Sequence, residues 1–364
     1  IFGIGLNRPI TGYWAKVIEL INRQPFQIVA IDIPSGMYAN QPTEGTAIKA
    51  TQTYTFHSPK LNFFFPENEE FVGNWVVLPI PLDEETCRKT PTDYQLIADD
   101  ILPEIPKRKI FSHKGTYGHA LLIGGQYGMA GAALLATRAA LRSGCGKVTV
   151  LTPSCNQVIL QLGAPEALLL PTASERHLSA MTIFTGIYSA IGIGPGLGKH
   201  ADTVQLMHKL CKANASFVFD ADAINILSEN PDLLQILPQG SILTPHPKEF
   251  ERLAGSWNNS IERLQKQIAF SKSHQVYVIF KNAKTTITTP SGKVFFNNTG
   301  SPGMAKGGTG DILTGYLTGL LARGLSGLDA CLRAVYTHGR AGNLAAADSR
   351  STESMKAGDL LDFL

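Results

Sequence analysis

An α/β architecture, with a mostly parallel sheet covered by helices on both faces, is what this sequence predicts, on three observations. From His119 onward, short apolar or β-branched runs alternate with helical stretches, the pattern of βαβ units. The 35 Gly and 21 Pro are spread between those runs with no dominant low-complexity segment, as many short strand-to-helix connections require. With 364 residues, 44% of them hydrophobic, the chain can bury a large core and accommodate two domains.

The chain opens on Ile1-Phe2-Gly3-Ile4-Gly5, which reads as the end of a strand and its glycine turn, and the missing initiator Met sets the expectation of further sequence upstream. Residues 27–31 form a short β-branched run ending in Asp32, punctuated as a turn by Ile33-Pro34-Ser35-Gly36. A second apolar run covers 75–80. Residues 81–108 are rich in Asp, Glu, Lys and Pro, with one helix expected around 94–101 and a domain boundary near residue 90.

Strands are then expected at 119–124, 147–151, 189–193, 217–219, 242–244 and 276–280, separated by helices such as 131–142 and 201–213. Strands at 285–289 and 293–297 flank Pro290-Ser291-Gly292 as an appended hairpin. The last third is helical, with Ile312, Leu313, Tyr316, Leu317, Leu320 and Leu321 at helix spacing. In open parallel sheets ligands bind outside the carboxyl ends of the strands, which is where the polar and glycine clusters of this sequence fall.

Bulk properties exclude several classes. A formal charge of +3 comes from 32 basic and 29 acidic residues that are well mixed, so there is no basic stripe for nucleic acid, while phosphate-bearing small molecules remain compatible. Five cysteines without a CxxC pair indicate a reducing compartment, hence a cytoplasmic location, and suggest no zinc site. No apolar run approaches the roughly 18 to 20 residues that span a bilayer, and the sequence as given does not open on a basic-then-apolar leader pattern.

The strongest motif is Lys306-Gly307-Gly308-Thr309-Gly310-Asp311, immediately before the apolar helix. Glycines let amides turn inward and the helix amino end adds partial positive charge, which makes a phosphoryl pocket. Asp311 is then placed to take the proton of a hydroxyl attacking phosphorus, or simply to cap the helix. Gly192-Ile193-Gly194-Pro195-Gly196-Leu197-Gly198 lets a ligand approach the backbone or makes a plain tight turn. Asp220 and Asp222, at i and i+2 on an extended chain, hold Mg²⁺ through water or cap the next helix. His246 and Glu249 share the first turn of a helix that begins with Pro247; a helix start alone accounts for them locally. Lys281-Asn282-Ala283-Lys284-Thr285 meets a nucleotide or is a solvated loop.

In this order and spacing, the motifs resemble the ATP- or ADP-dependent NAD(P)H-hydrate dehydratases, a branch of the ribokinase-like superfamily. The match runs from about His113 to the end through HKGTYGH (113–119), IGGQYGMAGAALLATRAALRSGCGKVTVLTP (123–153), IGIGPGLG (191–198), DADAIN (220–225), LTPHPKEF (243–250) and KGGTGDILTG (306–315). The first segment resembles the carboxyl-terminal half of an NAD(P)H-hydrate epimerase: FGIGLNRP (2–9) is similar to its substrate loop, and VAIDIPSG (29–36) to its aspartate-bearing strand with a potassium-ligand serine. The epimerase's upstream Asn-Gly loop and the aspartate before its FGxG turn are not in this chain, and Ile4 stands where Thr is usual.

The resemblance implies a ribokinase-like dehydratase domain over 109–364, a linker over 89–108 and a partial Rossmann-like epimerase domain over 1–88. It implies that Asp311 and Gly310 lie at the reacting phosphate. Lys281, Asn282, Ala283, Lys284 and Thr285, with Gly307, Gly308, Thr309 and Gly310, would contact ADP or ATP. Ala132, Gly196, Gly198, His246 and Asp311 would contact the hydrated dinucleotide, NADHX or NADPHX. Glu249 and Asp222 are candidate Mg²⁺ positions, Glu249 because His246-x-x-Glu249 echoes the Asn-x-x-Glu element of related kinases. In the epimerase segment Gly3, Ile4, Gly5, Leu6, Asn7, Arg8 and Asp32 would line the remnant site, with Ser35 as a K⁺ ligand.

The implied reaction phosphorylates the hydrate hydroxyl and eliminates phosphate, restoring NADH or NADPH. A bacterial fusion favours ADP, and relatives suggest a homo-oligomer, a tetramer or larger. The first 85 or so residues are expected to need support from the dehydratase or from upstream sequence, so dehydration of the S hydrate without interconversion of the R form is expected. The rival readings are a vitamin-alcohol kinase of the same fold and a nucleotide-binding protein without turnover.

Overall fold

The first strand forms where the sequence pattern places it, as Val29–Ile31 (β1), after an amphipathic helix, Gly12–Asn22 (α1), whose Ile18 is fully buried. The computed structural model describes residues 1–179, 181, 183–213, 215–349 and 351–364. They divide into two units, Ile1–Thr92 with Trp257–Lys266 and Asp93–Ser256 with Gln267–Leu364.

In the first unit β1 pairs in parallel with Gln52–Phe56 (β2), and β2 with Asn74–Leu78 (β3), in the order β1-β2-β3. The strand β2, QTYTF, escaped the sequence pattern because its buried positions are threonines, and Thr53 is held through a 2.7 Å hydrogen bond to the Val72 carbonyl. Short helices follow at Glu69–Val72 (α2) and Glu84–Lys89 (α3). Two small clusters fill this unit, one around Ile10, Ile18 and Ile48, the other around Ile33, Met37 and Phe63.

The second unit begins with a correction. Residues 94–101, expected to be helical, form a strand, Tyr94–Leu96 (β4), followed by a 3₁₀ turn at Asp99–Ile101. Three residues pairing with a ready-made sheet edge outweigh local helix propensity, and the Ile97 amide continues the pairing to the Phe296 carbonyl at 2.8 Å. Then come His119–Ile123 (β5), Ala130–Arg142 (α4), Lys147–Pro153 (β6), Gln157–Gly163 (α5), Leu168–Thr172 (β7), Ala190–Ile193 (β8), Ala201–Leu210 (α6), Ser216–Phe219 (β9), Ala221–Glu229 (α7), Pro231–Gln235 (α8) and Ile242–Leu243 (β10). Pro247–Ala254 (α9), Ser260–His274 (α10), Tyr277–Phe280 (β11), Thr286–Thr288 (β12), Val294–Phe296 (β13), Thr309–Ala322 (α11) and Gly327–Asp348 (α12) complete the chain's longer elements. The unread strand β7 carries Pro171 and lies at the sheet edge, where a missing amide donor is tolerated.

Ten strands form one sheet in the order β4-β13-β12-β11-β10-β9-β8-β5-β6-β7, parallel except where β12 pairs with β11 and β13. Every residue of β5 and β8 is buried, so both faces are covered. Ala120, Leu122, Ala190 and Val218 face α4, α11 and α12 in the main core. On the other face Phe250 of α9 packs edge-on against Phe280 of β11.

Helix α11 is buried almost all round and lies close on α4. A Cβ on Gly315 would fall 1.9 Å from the Ala136 carbonyl oxygen, so only glycine permits this approach. The chain runs outward from β5 through β6 to β7, then returns to place β8 on the other side of β5. The crevice at the carboxyl ends of β5 and β8 is therefore a topological switch point, where open α/β sheets bind ligands. Among the described residues, no helix is long and apolar enough to cross a membrane.

Candidate active site

Several of the loops singled out by sequence follow the carboxyl ends of neighbouring strands. After β5, the Gly125 amide donates to the Pro195 carbonyl at 2.9 Å and the Gln126 amide to that of Gly196 at 2.6 Å, which ties the first glycine loop to the one after β8. Gly196 has φ +57, and a Cβ there would lie 2.7 Å from Met129 Cβ and 3.2 Å from Ala132 Cβ. Ala132 and Gly196 thus adjoin. Gly198 reaches the next strand end, its amide donating to Asp222 Oδ2 at 2.9 Å.

Asp220 and Asp222 do not share one side of an extended chain. Asp220 is the last residue before α7 and Asp222 sits in that helix's first turn, because the chain turns at Ala221 with φ +48. Asp220 makes no capping bond. Its buried carboxylate accepts from Lys281 Nζ at 2.5 Å and from the Thr314 hydroxyl at 2.7 Å. A strand end, the loop after β11 and the first turns of α11 are joined in this way. Both charged groups reach the amino end of α11: a Cβ on Gly310 would lie 3.4 Å from Lys281 Nζ and 3.8 Å from Asp220 Oδ2.

Asp311 stands on that first turn. Among the described residues its carboxylate has no hydrogen-bond partner. Burial, and secondarily the negative charge of Asp220, push its pKa up to about 6 against the pull of Lys281. Behind it, Gly308 caps α11 in the left-handed region at φ 100, and the Thr309 hydroxyl is taken up by the loop, donating to the Met304 and Lys306 carbonyls at 2.9 and 2.6 Å. Lys306 is likewise anchored, to the Glu353 and Met355 carbonyls, both at 2.5 Å. Backbone amides at the start of α11, rather than these side chains, are left to meet a phosphoryl group.

His246 and Glu249 form a capping box at the start of α9. His246 Nδ1 accepts from the Lys248 and Glu249 amides at 3.1 and 3.3 Å, and Glu249 Oε2 accepts from the His246 amide at 2.8 Å. Burial first, then the charge of Lys281, lowers the His246 pKa, which favours the neutral ring. Burial raises that of Glu249. After β11, the Asn282 side chain accepts from the Ala283 amide at 2.7 Å and the Thr285 hydroxyl donates to the Asn282 carbonyl at 3.1 Å, a tight turn with Lys284 held by Asn298. The Lys281 amide joins this loop to the Pro245 carbonyl at 2.9 Å.

Two contributors were not legible from motifs. Thr314, one turn after Asp311, reads as another position of an apolar helix. His338 of α12, distant in sequence, donates from Nε2 to the Thr309 carbonyl at 2.9 Å, its pKa pushed down to about 4 chiefly by burial.

The sequence pattern described as NAD(P)H-hydrate dehydratase matches residues 120–364, two thirds of this chain, and that of the YjeF-related protein N-terminus matches residues 1–62. The whole chain is 35% identical, over 71% of its relative's length, to a bifunctional NAD(P)H-hydrate repair enzyme of Moorella thermoacetica. It is 34% identical to one of Coxiella burnetii, over 74% of that protein. This chain belongs to the NAD(P)H-hydrate dehydratase family. Its fold agrees with that of an ADP/ATP-dependent NAD(P)H-hydrate dehydratase of Bacillus subtilis co-crystallised with ATP/Mg²⁺ (TM-score 0.63, 34% identity, 71% of this chain and 91% of that one). It also agrees with a ribokinase-like superfamily protein of Enterococcus faecalis (TM-score 0.66, 29% identity, 74% of this chain and 93% of that one). The dehydratase fold here is accordingly ribokinase-like.

In the segment before the dehydratase unit, Gly3 to Leu6 form a turn, the Leu6 amide donating to the Gly3 carbonyl at 3.3 Å, while Asn7 and Arg8 are exposed. Ser35 exchanges hydrogen bonds with the backbone of Phe2 at 2.9 and 3.0 Å. Asp32, with the strained φ of 64, accepts from Lys60 at 2.8 Å and from the Phe56 amide at 3.1 Å. Burial opposes its ionisation, but Lys60 and that amide outweigh burial and hold its pKa below the ordinary value. Lys60 was not singled out by sequence, since a lone lysine between two loops carries no pattern.

Proposed function

We propose that the site dehydrates the S form of hydrated NADH and NADPH by nucleotide-dependent phosphorylation, with Asp311 as the base. The chain is a nucleotide-dependent NAD(P)H-hydrate dehydratase, a lyase of metabolite repair. The observation that carries the residue assignment is the Asp311 carboxylate, half-buried, unpartnered among the described residues and shifted to about 6 at the amino end of α11. A pKa just below neutrality leaves it ionised near pH 7 while keeping it a competent proton acceptor.

Asp311 takes the proton of the hydrate hydroxyl, and that oxygen attacks the terminal phosphorus of ADP or ATP held by the amides of Gly307 to Gly310. The nucleotide leaves one phosphate shorter. The ring nitrogen's lone pair then expels the phosphate, and the adjacent carbon gives up a proton to restore the double bond. Lys281 and the loop through Thr285 bind the nucleotide, and Ala132, Gly196, Gly198 and His246 orient the hydrated ring.

The acidic residues at this edge are oxygen donors of the kind Mg²⁺ prefers. Asp222 Oδ1 is without a partner among the described residues, whereas both oxygens of Glu249 face His246, at 2.8 Å to its amide and 3.3 Å to Nε2. Asp222 and Glu249 would hold the ion, whose part would be to offset phosphate charge. The five thiols are unpaired, which supports a cytoplasmic setting.

Incubating the chain with hydrated NADH and ADP or ATP tests this: the near-ultraviolet absorbance of reduced nicotinamide should return with release of free phosphate. A stable phosphate ester instead would make it a kinase. Asp311→Asn should lower turnover by about 10²-fold or more with nucleotide binding intact, and near-normal turnover would remove Asp311 from its role.

A further inference from the structure

A cleft of about 500 Å³ opens beside the switch point, lined by Gln126, Tyr127, Arg176, His177 and His200. It continues the active site: Gln126 lies against Gly198, where an added Cβ would meet its Oε1 at 2.0 Å, and Gly198 is bonded to Asp222, whose charge reaches Asp311. None of these five residues is used by the chemistry above.

The groups they leave open are donors. The Arg176 guanidinium stacks over the Tyr127 ring at 4.5 Å and, among the described residues, makes no hydrogen bond or ion pair. His200 caps α6 by accepting the Asp202 amide on Nδ1 at 3.2 Å, which fixes the proton on Nε2, and that N–H has no partner among the described residues. The nearby carboxylate, Asp202, is already engaged by His177 Nε2 at 3.2 Å, and His177 Nδ1 by Ser174 at 3.2 Å. Together His177, His200 and Asp202 have the residue types of a metal site. The two rings stack, however, with centroids 3.6 Å apart and planes 21° from parallel. Their in-plane lone pairs cannot converge on one ion. What the cleft offers is a guanidinium stacked on an exposed aromatic ring and an imidazole N–H, the set that recognises a phosphate beside a nucleoside.

We infer that this cleft binds a phosphate of the hydrated dinucleotide remote from the reacting ring, with Arg176 and His200 as specificity-determining residues. The inference rests on the dehydratase function proposed above. The phosphate comes from the pyrophosphate that NADHX and NADPHX share, or from the ribose 2′-phosphate of NADPHX alone.

Steady-state kinetics of the full chain carrying Arg176→Ala, or His200→Asn, which keeps a capping acceptor, decides it. KM for the hydrate should rise about tenfold with kcat and nucleotide KM unchanged. An equal rise for both hydrates assigns the pyrophosphate, and a rise confined to NADPHX the 2′-phosphate. Unchanged KM for both, in a wild-type chain that dehydrates normally, overturns the inference and leaves the function standing. Should the wild type not dehydrate, titration of NAD⁺ and NADP⁺ into wild type and Arg176→Ala tests the cleft directly: tenfold weaker binding to the variant supports it, and equal binding refutes it.

Discussion

Lys281 Nζ lies 2.5 Å from Asp220 Oδ1, joining two strand ends separated by 61 residues in sequence directly beneath the first turn of α11. This pair, with Thr314 on the second carboxylate oxygen, sets the electrostatics under which Asp311 works.

Replacing Asp220 with Asn removes one of the charges that raise the Asp311 pKa and leaves the pull of Lys281 opposed by burial and Asp222 alone. The acid limb of kcat/KM should therefore move to lower pH, as a pH–rate profile would show. An unmoved limb would mean that Asp220 does not tune the base. The variant should also lose up to about 3 kcal/mol of stability, since a largely buried ammonium loses its partner.

In the wild type, kcat/KM should rise with pH through about 6 as Asp311 becomes ionised. The same shift has a stability sign. A folded-state pKa raised above 3.8 to about 6 favours the protonated carboxyl, so its contribution is present below the unfolded value and lost as pH rises through the folded one. Asp311→Asn should thus stabilise the chain by about 2 kcal/mol at pH 7, and the gain should vanish near pH 3.5. Chemical denaturation at the two pH values measures it.

His246 both caps α9 and is assigned to the substrate. His246→Asn keeps a capping acceptor, so stability should change by less than about 0.5 kcal/mol, whereas His246→Ala should lose about 1 kcal/mol. If His246 contacts the hydrate, both variants raise KM alike. KM tracking stability instead would make His246 a cap alone.

Gly315→Ala places a methyl carbon 1.9 Å from the Ala136 carbonyl oxygen and must push α11 off α4. A loss of about 3 kcal/mol is expected by denaturant unfolding. Because Asp311 rides on α11, turnover at a temperature where the variant remains folded should also fall.

The features legible along the chain were periodic or local. Alternation of apolar runs predicted the parallel sheet, the hairpin around Pro290-Ser291-Gly292 and the apolar helix after the glycine loop, because burial on two faces and turn chemistry act through near neighbours. Glycine and acidic clusters at strand ends marked the site edge for the same reason. Tertiary structure decided the rest. Residues 94–96 became a strand because Phe296 and its neighbours offered an edge to pair with. Asp220 turned from a metal or capping candidate into the partner of Lys281 and Thr314, and Arg176 and His200 came together beside Gln126. Each of these depends on which residues from distant strands and helices meet, and that is set by packing of the whole core, to which no spacing along the chain corresponds.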